Sequence, residues 1–261
     1  MQRFLVAFIV FGSILLLPRD ALFLENVDLY ENPVATVSPV VFIGDSVTMG
    51  AFASTPENTF AVRVWNDLEA RGVKGPADNF WTFDPSNDLA MAQRAALRHR
   101  KLIIVELGIH WAPAFDEAGF RRAYGSMLDC LQGSGAIVVV GTIPWLGWAP
   151  GTARYETMSL FSQIIRQEAA KRNIAVADLW AATDQRRDAL SRPDQSCYPE
   201  GCRGDNYHPG DTGHALIAES YVEALDAALV DPSRREYEYR CNFDEYLDAL
   251  ADNTRAPVAG P

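Results

Sequence analysis

The chain has 261 residues, of which 48% are hydrophobic and 22% are charged, and this balance excludes a wholly disordered or collagen-like protein. Its 34 acidic residues outnumber its 23 basic residues and give a formal net charge of −11. This negative charge argues against nucleic acid as a partner, because phosphate binding requires a basic surface. The length fits one α/β domain with extensions better than two full domains.

An uncharged apolar segment, residues 4–17, follows Arg3 at the start of the chain. A helix of this length rises about 21 Å, which is less than the roughly 30 Å hydrocarbon core of a bilayer. A basic residue followed by such a segment is typical of a secretory signal. Because Pro18-Arg19-Asp20 provides no clear cleavage site, residues 1–20 are predicted to be either a signal peptide or an uncleaved N-terminal membrane anchor. Both alternatives predict export of the rest of the chain, whether secreted, periplasmic or anchored outside the cytoplasm.

From Val37 onwards, short apolar runs alternate with amphipathic stretches. Runs rich in β-branched residues predict strands buried on both faces at residues 40–43, 101–105, 136–140 and, more weakly, 174–177. Apolar residues at helical spacing predict four helices. The first two sets are Ala61, Val64, Trp65 and Leu68, and Phe120, Ala123, Tyr124, Met127, Leu128 and Leu131. The other two sets are Met158, Phe161, Ile165 and Ala169, and Leu216, Ile217, Tyr221 and Leu225. This alternation predicts a three-layer α/β/α domain over residues 37–229 with a mostly parallel sheet, whose site lies at the carboxyl ends of the strands. Residues 230–261 are predicted to form a C-terminal extension and tail.

Four cysteines, an even number, allow three disulfide pairings in an oxidising compartment. The short spacing of Cys197 and Cys202 predicts one local bridge, which leaves Cys130 for Cys241. The alternative is that all four are unrelated buried thiols. A zinc site is less consistent with the sequence, since no C-x-x-C pair is present.

The first predicted strand is followed by Gly44-Asp45-Ser46. A serine at a turn from strand to helix is exposed at the edge of the sheet, where its own backbone N–H is available to an oxyanion. A serine in this position is also a common helix cap.

Late in the chain, Asp205 and His208 stand three residues apart, before a predicted helix that begins near Asp211. This spacing allows the carboxylate to accept the imidazole N–H and to leave the other ring nitrogen as a general base. The alternative is a surface histidine beside a helix cap. A metal site made of Asp205, His208, Asp211 and His214 is a weaker reading of the same segment.

Taken together, Gly44-Asp45-Ser46 and Asp205-x-x-His208 resemble the SGNH or GDSL hydrolase superfamily. The run from His208-Pro209 to Gly213-His214-Ala215 is also similar to the family's usual sequence after its catalytic histidine. The resemblance covers residues 37 to about 229 and implies a flavodoxin-like fold. It implies Ser46 as nucleophile, His208 as base and Asp205 as the residue that orients the base, with no metal or other cofactor. An α/β-hydrolase fits poorly, because the glycine of the nucleophile elbow is missing after Ser46.

Two family features are altered. The family's Gly-x-Asn-Asp block corresponds to Gly108-Ile109-His110-Trp111, so His110 stands where the family has an oxyanion-binding asparagine, and Gly108 keeps the glycine. An imidazole N–H also donates hydrogen bonds, and we expect His110 to take that role. The second glycine block is expected at residues 79–84, where no glycine is present.

The resemblance implies a serine esterase that hydrolyses a small acyl ester, with an O-acetyl group on a carbohydrate as one such substrate. An acyltransferase acting on carbohydrate and a non-catalytic binding domain of the same fold are the alternatives. Trp145 and Trp148 follow a predicted strand, and they either form a sugar or acyl platform or pack in the core.

Overall fold

The computed structural model describes residues 39–82, 84–97, 101–111, 116–186 and 208–230, all within one compact unit, Val37–Pro261. The strands are β1 (Val40–Gly44), β2 (Ala77–Trp81), β3 (Leu102–Glu106), β4 (Ile137–Gly141) and β5 (Ala175–Ala177). The α-helices are α1 (Ser46–Met49), α2 (Phe60–Ala70), α3 (Pro85–Leu97), α4 (Glu117–Gly133), α5 (Ala153–Lys171), α6 (Leu179–Asp184) and α7 (Asp211–Val230). Short 3₁₀ helices occupy Pro56–Asn58 and Ile109–Trp111.

All five strands are parallel and lie in the order β2-β1-β3-β4-β5. This arrangement confirms the predicted α/β fold and the four strands foreseen from the apolar runs. β1 and β3 are buried along their whole length, as continuous β-branched sequences require when helices cover both faces. The chain leaves β1 towards β2 on one side and reaches β3 on the other, so a crevice opens between the carboxyl ends of β1 and β3.

β2 and α3 were not foreseen from the sequence. β2 is an edge strand with polar residues at Asp78 and Asn79, and it is only partly buried, so it lacks the apolar run that marked the other strands. α3 buries mostly alanines, which form no prominent apolar stripe in the sequence. β2 matters for the site, because it pairs with β1 as far as Gly44, and Trp81 is the register partner of Gly44.

The helices form two layers around the sheet. α2 packs against α7, and α7 also contacts α6, β4 and β5, whereas α3, α4 and α5 pack in series with one another. Within the described residues, no helix is both apolar and long enough to span a bilayer. The predicted signal or anchor, residues 1–20, and the C-terminal extension beyond residue 230 lie outside the described part of the chain.

Candidate active site

The turn that carries Ser46 is built by the two residues before it. Asp45 caps α1, since its Oδ1 accepts a hydrogen bond from the Val47 amide at 2.9 Å. Gly44 is required because a Cβ there would lie 1.8 Å from Thr48 Oγ1 and 2.6 Å from the Glu106 carbonyl oxygen. Ser46 is thereby placed at the first position of a one-turn helix, two residues beyond the end of β1.

Ser46 and His208, which are 162 positions apart in the sequence, meet at this edge of the sheet. The Ser46 Oγ lies 2.8 Å from His208 Nε2, which is the geometry needed for the hydroxyl to donate its proton to the imidazole. Phe52 stacks on His208 with a ring separation of 5.0 Å and an angle of 5° between the rings. The φ of Phe52 is +68°, a left-handed conformation that is unusual for a bulky residue. The sequence offered no signal for this aromatic support of the base.

The amino end of α7 is tied to the loop that carries Phe52. Asp211 accepts hydrogen bonds from the Ser54 amide at 2.7 Å and from Asn58 Nδ2 at 3.0 Å. His214 is fully buried, accepts from the Phe60 amide at Nδ1 (3.3 Å) and donates from Nε2 to the Ala51 carbonyl oxygen (3.1 Å). These contacts hold the loop of residues 51–60 against the segment that presents His208.

The same contacts correct the metal-site reading of Asp211 and His214. Both ring nitrogens of His214 are bonded to backbone groups, and burial lowers its pKa to about 4, so the imidazole is neutral near pH 7. Over the described ranges, no group of His, Cys, Asp and Glu side chains is arranged to hold a metal ion. Asp205 lies outside those ranges, so its orienting role stays a prediction, and so do the roles of Cys197, Cys202 and Cys241 as disulfide partners. Cys130 is buried on α4.

Gly108 and His110 follow β3, the strand next to β1. Gly108 has a φ of +138°, and a Cβ there would lie 3.0 Å from the Ile143 side chain, so glycine is required. His110 belongs to the 3₁₀ helix Ile109–Trp111 and is half-buried. Burial raises the pKa of Asp45 and His110 partly opposes that rise, which places His110 near the residue that precedes Ser46. Both predicted oxyanion residues therefore lie at the edge of the sheet that carries the nucleophile.

The stretch expected to hold the second glycine block forms the end of β2 and the loop that follows. The Thr82 amide donates to the Gly44 carbonyl oxygen at 3.1 Å, and the Asp84 amide donates to Thr82 Oγ1 at 3.1 Å. Phe83 lies outside the described residues. The amides of Thr82 and Asp84 are already paired, so neither is available as an oxyanion donor in this arrangement.

Trp145 and Trp148 pack in the core and do not form an exposed platform. Both are buried, the Trp145 indole N–H donates to the Trp148 carbonyl oxygen at 2.7 Å, and the Trp145 amide donates to Thr183. The large apolar side chains exposed beside Ser46 are instead Met49, 40% exposed, and Trp81, 37% exposed.

Buried carboxyl groups lie beneath the nucleophile turn, and sequence reasoning missed them. Asp45 and Glu106 are close neighbours, Thr48 Oγ1 donates to Glu106 Oε2 at 3.0 Å, and Asp45 Oδ2 is buried without a hydrogen-bond partner. Asp88, on α3, accepts a hydrogen bond from the Trp111 indole. Burial raises the pKa of Asp45 and raises the pKa values of Glu106 and Asp88 well above their ordinary values. An acidic residue that ends an otherwise apolar strand, as Glu106 does, was the available signal in the sequence.

Comparisons with known proteins agree with this architecture. The model of the GDSL-like lipase/acylhydrolase family matches residues 42–216. A search of curated proteins finds no matching sequence. Three solved structures with 16–18% sequence identity are similar to this chain in fold. The acetyl xylan esterase AlAXEase has a TM-score of 0.56 and 18% identity, and the match covers 71% of this chain and 98% of that chain. The acetylxylan esterase Axe2 from Geobacillus stearothermophilus has a TM-score of 0.55 and 17% identity, with 74% of this chain and 96% of that chain covered, and TesA has a TM-score of 0.56 and 16% identity, with 72% of this chain and 98% of that chain covered.

Proposed function

The chain belongs to the GDSL-like lipase/acylhydrolase family, and we propose that it is a serine esterase that removes a small acyl group, such as an O-acetyl group on a carbohydrate, through an acyl-enzyme on Ser46. The observation that carries this proposal is the 2.8 Å contact between Ser46 Oγ and His208 Nε2. A pairing of hydroxyl and imidazole is what a serine nucleophile needs, because the free hydroxyl is a weak nucleophile at neutral pH. The contact also favours a catalytic protein over a non-catalytic binding domain.

The proposed reaction has two halves. The Ser46 oxygen attacks the carbonyl carbon of the ester while His208 takes the hydroxyl proton, and His208 then returns that proton to the departing alcohol oxygen. Water next attacks the acyl-enzyme while His208 takes its proton, and His208 then returns that proton to the Ser46 oxygen as the carboxylic acid is released. Asp205 is assigned the orientation of the imidazole in both halves.

The negative oxygen of each tetrahedral intermediate is assigned to the groups at the ends of β1 and β3. The Ser46 amide is at the first position of α1, where helix geometry supplies no intrahelical partner. His110 is proposed as the second donor and Gly108 as the residue whose positive φ directs the chain there. Donors fixed before the reaction need no reorganisation when charge develops, which is why such groups contribute strongly to rate.

A substrate surface is assigned to Trp81 and Met49. Side chains alternate along a strand, so Trp81 lies on the same face of β2 as Asn79. Asn79 Nδ2 donates to the Thr48 carbonyl oxygen at 2.9 Å, and this face of β2 therefore meets α1, on which Met49 is the last residue. An exposed indole beside the nucleophile fits a carbohydrate ring or an acyl chain. The acetyl xylan esterases of similar fold agree with the carbohydrate choice.

The proposal is tested by the purified protein's hydrolysis of p-nitrophenyl esters of graded acyl length and of acetylated xylo-oligosaccharides. We expect S46A and H208A each to lower kcat by several orders of magnitude, with the double variant little worse, because the two residues act as a unit. S134A is the matched control, since Ser134 lies before β4, at the opposite edge of the sheet. A folded S46A protein with wild-type turnover would refute the mechanism.

We also propose that the protein is exported, with Cys197–Cys202 and Cys130–Cys241 disulfides. The uncharged segment 4–17 and the even number of cysteines support this proposal. Fractionation of cells that express the full chain tests export, and mass spectrometry of peptides from non-reduced protein tests both pairings. Recovery of the protein in the cytoplasm with four alkylated thiols would contradict both parts.

A further inference from the structure

Two buried carboxyl groups meet directly beneath the nucleophile turn. Gly44 and Glu106 are register partners on β1 and β3, so Asp45, the residue after Gly44, stands over the end of β3. Asp45 is 1% exposed and Glu106 is 2% exposed. Burial and the negative charge of Asp45 both raise the pKa of Glu106, so the two carboxyl groups are close neighbours. A hydrogen bond between two carboxyl groups requires one of them to carry a proton, because two carboxylates have only acceptors.

The remaining contacts indicate where that proton lies. Asp45 Oδ1 accepts from the Val47 amide, as a helix-capping carboxylate does, whereas its Oδ2 is buried and has no hydrogen-bond partner. Glu106 Oε2 accepts from the Thr48 hydroxyl. A proton on the other oxygen of Glu106 would give Asp45 its second hydrogen bond. This assignment leaves neither carboxyl group without a partner in the interior.

We propose that Glu106 is a positioning residue that acts as a neutral carboxylic acid, donating to the Asp45 carboxylate and accepting from Thr48, and that it thereby joins β3 to both ends of the helix that carries Ser46. Asp45 caps that helix and Thr48 lies near its carboxyl end. The strand that leads to His110 and the helix that begins with Ser46 are then held together through one side chain. This proposal rests on the proposed esterase function only for its effect on rate.

Electrostatics makes the arrangement sensitive to pH. Burial and the negative charge of Asp45 raise the pKa of Glu106, while the Thr48 hydrogen bond opposes them. Burial raises the pKa of Asp45, and the nearby His110 and His208 side chains partly oppose that rise. Asp88 on α3, Tyr124 on α4 and Tyr221 on α7 also face the pair, and burial raises the pKa of each of them. We therefore expect the pair to hold one proton in common around neutral pH.

Loss of that proton at alkaline pH places two like charges side by side below the nucleophile. The Asp45–Glu106 hydrogen bond is then lost, the helix cap is repelled, and an additional negative charge stands near the oxygen that becomes negative during the reaction. All three effects oppose catalysis, since the transition state needs a correctly placed nucleophile, donors and positive potential at that point. We therefore expect kcat/KM to fall at high pH through the titration of this pair.

The test is the pH profile of kcat/KM in the full chain, compared with E106Q and E106L. In E106Q the side-chain NH₂ donates to Asp45 and the carbonyl oxygen accepts from Thr48, so both contacts survive without a titratable proton. We expect E106Q to retain kcat at pH 7 to within about threefold and to lose the alkaline decline, whereas E106L loses kcat by roughly 10- to 100-fold. D88N is the matched control, because Asp88 is a neighbouring buried carboxyl that bonds to Trp111, and it should keep the decline.

Infrared spectroscopy tests the protonation of Glu106 without relying on esterase activity. Wild-type protein near pH 7 should show the carbonyl band of a buried protonated carboxylic acid, part of which disappears in E106Q, and D88N should keep the Glu106 component. If the protein proves to be no esterase but this band behaves as described, the positioning role stands without its effect on rate. An alkaline decline that persists in E106Q, or a spectrum unchanged by E106Q, would overturn the proposal.

Discussion

The buried histidine of α7 offers a quantitative test of how the active-site loop is held. His214 joins the Ala51 carbonyl oxygen to the Phe60 amide, and Ala51 precedes Phe52, which stacks on the base His208. In H214Q the side-chain amide retains a donor for Ala51 but leaves Phe60 without its acceptor. An unsatisfied buried amide costs about 1–3 kcal/mol, so we expect H214Q to be less stable than wild type by that amount near pH 7.5.

The difference between the two proteins should change with pH. Burial lowers the pKa of His214 from 6.5 to about 4, so between these values the unfolded chain binds more protons than the folded chain. Stability from the neutral imidazole is therefore fully present above pH 6.5 and is lost as the pH falls towards 4. With 1.36 kcal/mol for each pKa unit, the loss in wild type is about 3 kcal/mol. H214Q has no imidazole at this position and lacks this loss.

Urea unfolding at several pH values from 4 to 8 measures the effect, and the quantity to compare is the wild-type free energy of unfolding minus that of H214Q. The comparison is needed because Asp88 and Glu106, whose pKa values are raised, change stability in the opposite direction as pH falls. We expect the difference to shrink by about 3 kcal/mol between pH 6.5 and 4. S220A, on the same helix, is the control and should run parallel to wild type. If the wild-type and H214Q curves were parallel, the neutral buried imidazole would be the wrong explanation.

Two further predictions concern catalysis. H110A should lower kcat for p-nitrophenyl acetate by about 10²–10³ with little change in KM, because a lost oxyanion donor acts on the transition state; an unchanged kcat would make His110 structural only. W81A should raise KM for acetylated xylo-oligosaccharides while leaving kcat for p-nitrophenyl acetate near wild type, and W81F should recover part of the affinity, since the ring face provides the contact. Equal KM values for W81A and wild type on the oligosaccharide would remove Trp81 from the substrate surface.

The sequence alone was sufficient for the parallel sheet and for the pairing of Ser46 with His208. Strands such as residues 40–43 and 137–140 are covered by helices on both faces, so burial leaves a continuous apolar run that is readable without any partner. The Gly-Asp-Ser and Asp-x-x-His motifs combine residue types that a serine hydrolase needs, and a parallel sheet brings the ends of its strands to one edge. These features depend on local composition and on the order of elements, both of which are visible along the chain.

The tertiary structure determined which side chains are buried and which residues distant in the sequence are in contact. Trp145 follows β4 and Trp81 is the last residue of β2, yet the first is buried and the second exposed, because β2 is an edge strand. Asp45 and Glu106 are ordinary acids in the sequence; the register of β1 on β3 brings them together, and burial raises their pKa values. His214 was considered as a metal ligand from the sequence, but in the structure both of its ring nitrogens are hydrogen-bonded to backbone groups of residues 51 and 60. Long-range register and burial determine such pairings, and neither is encoded in the spacing of neighbouring residues.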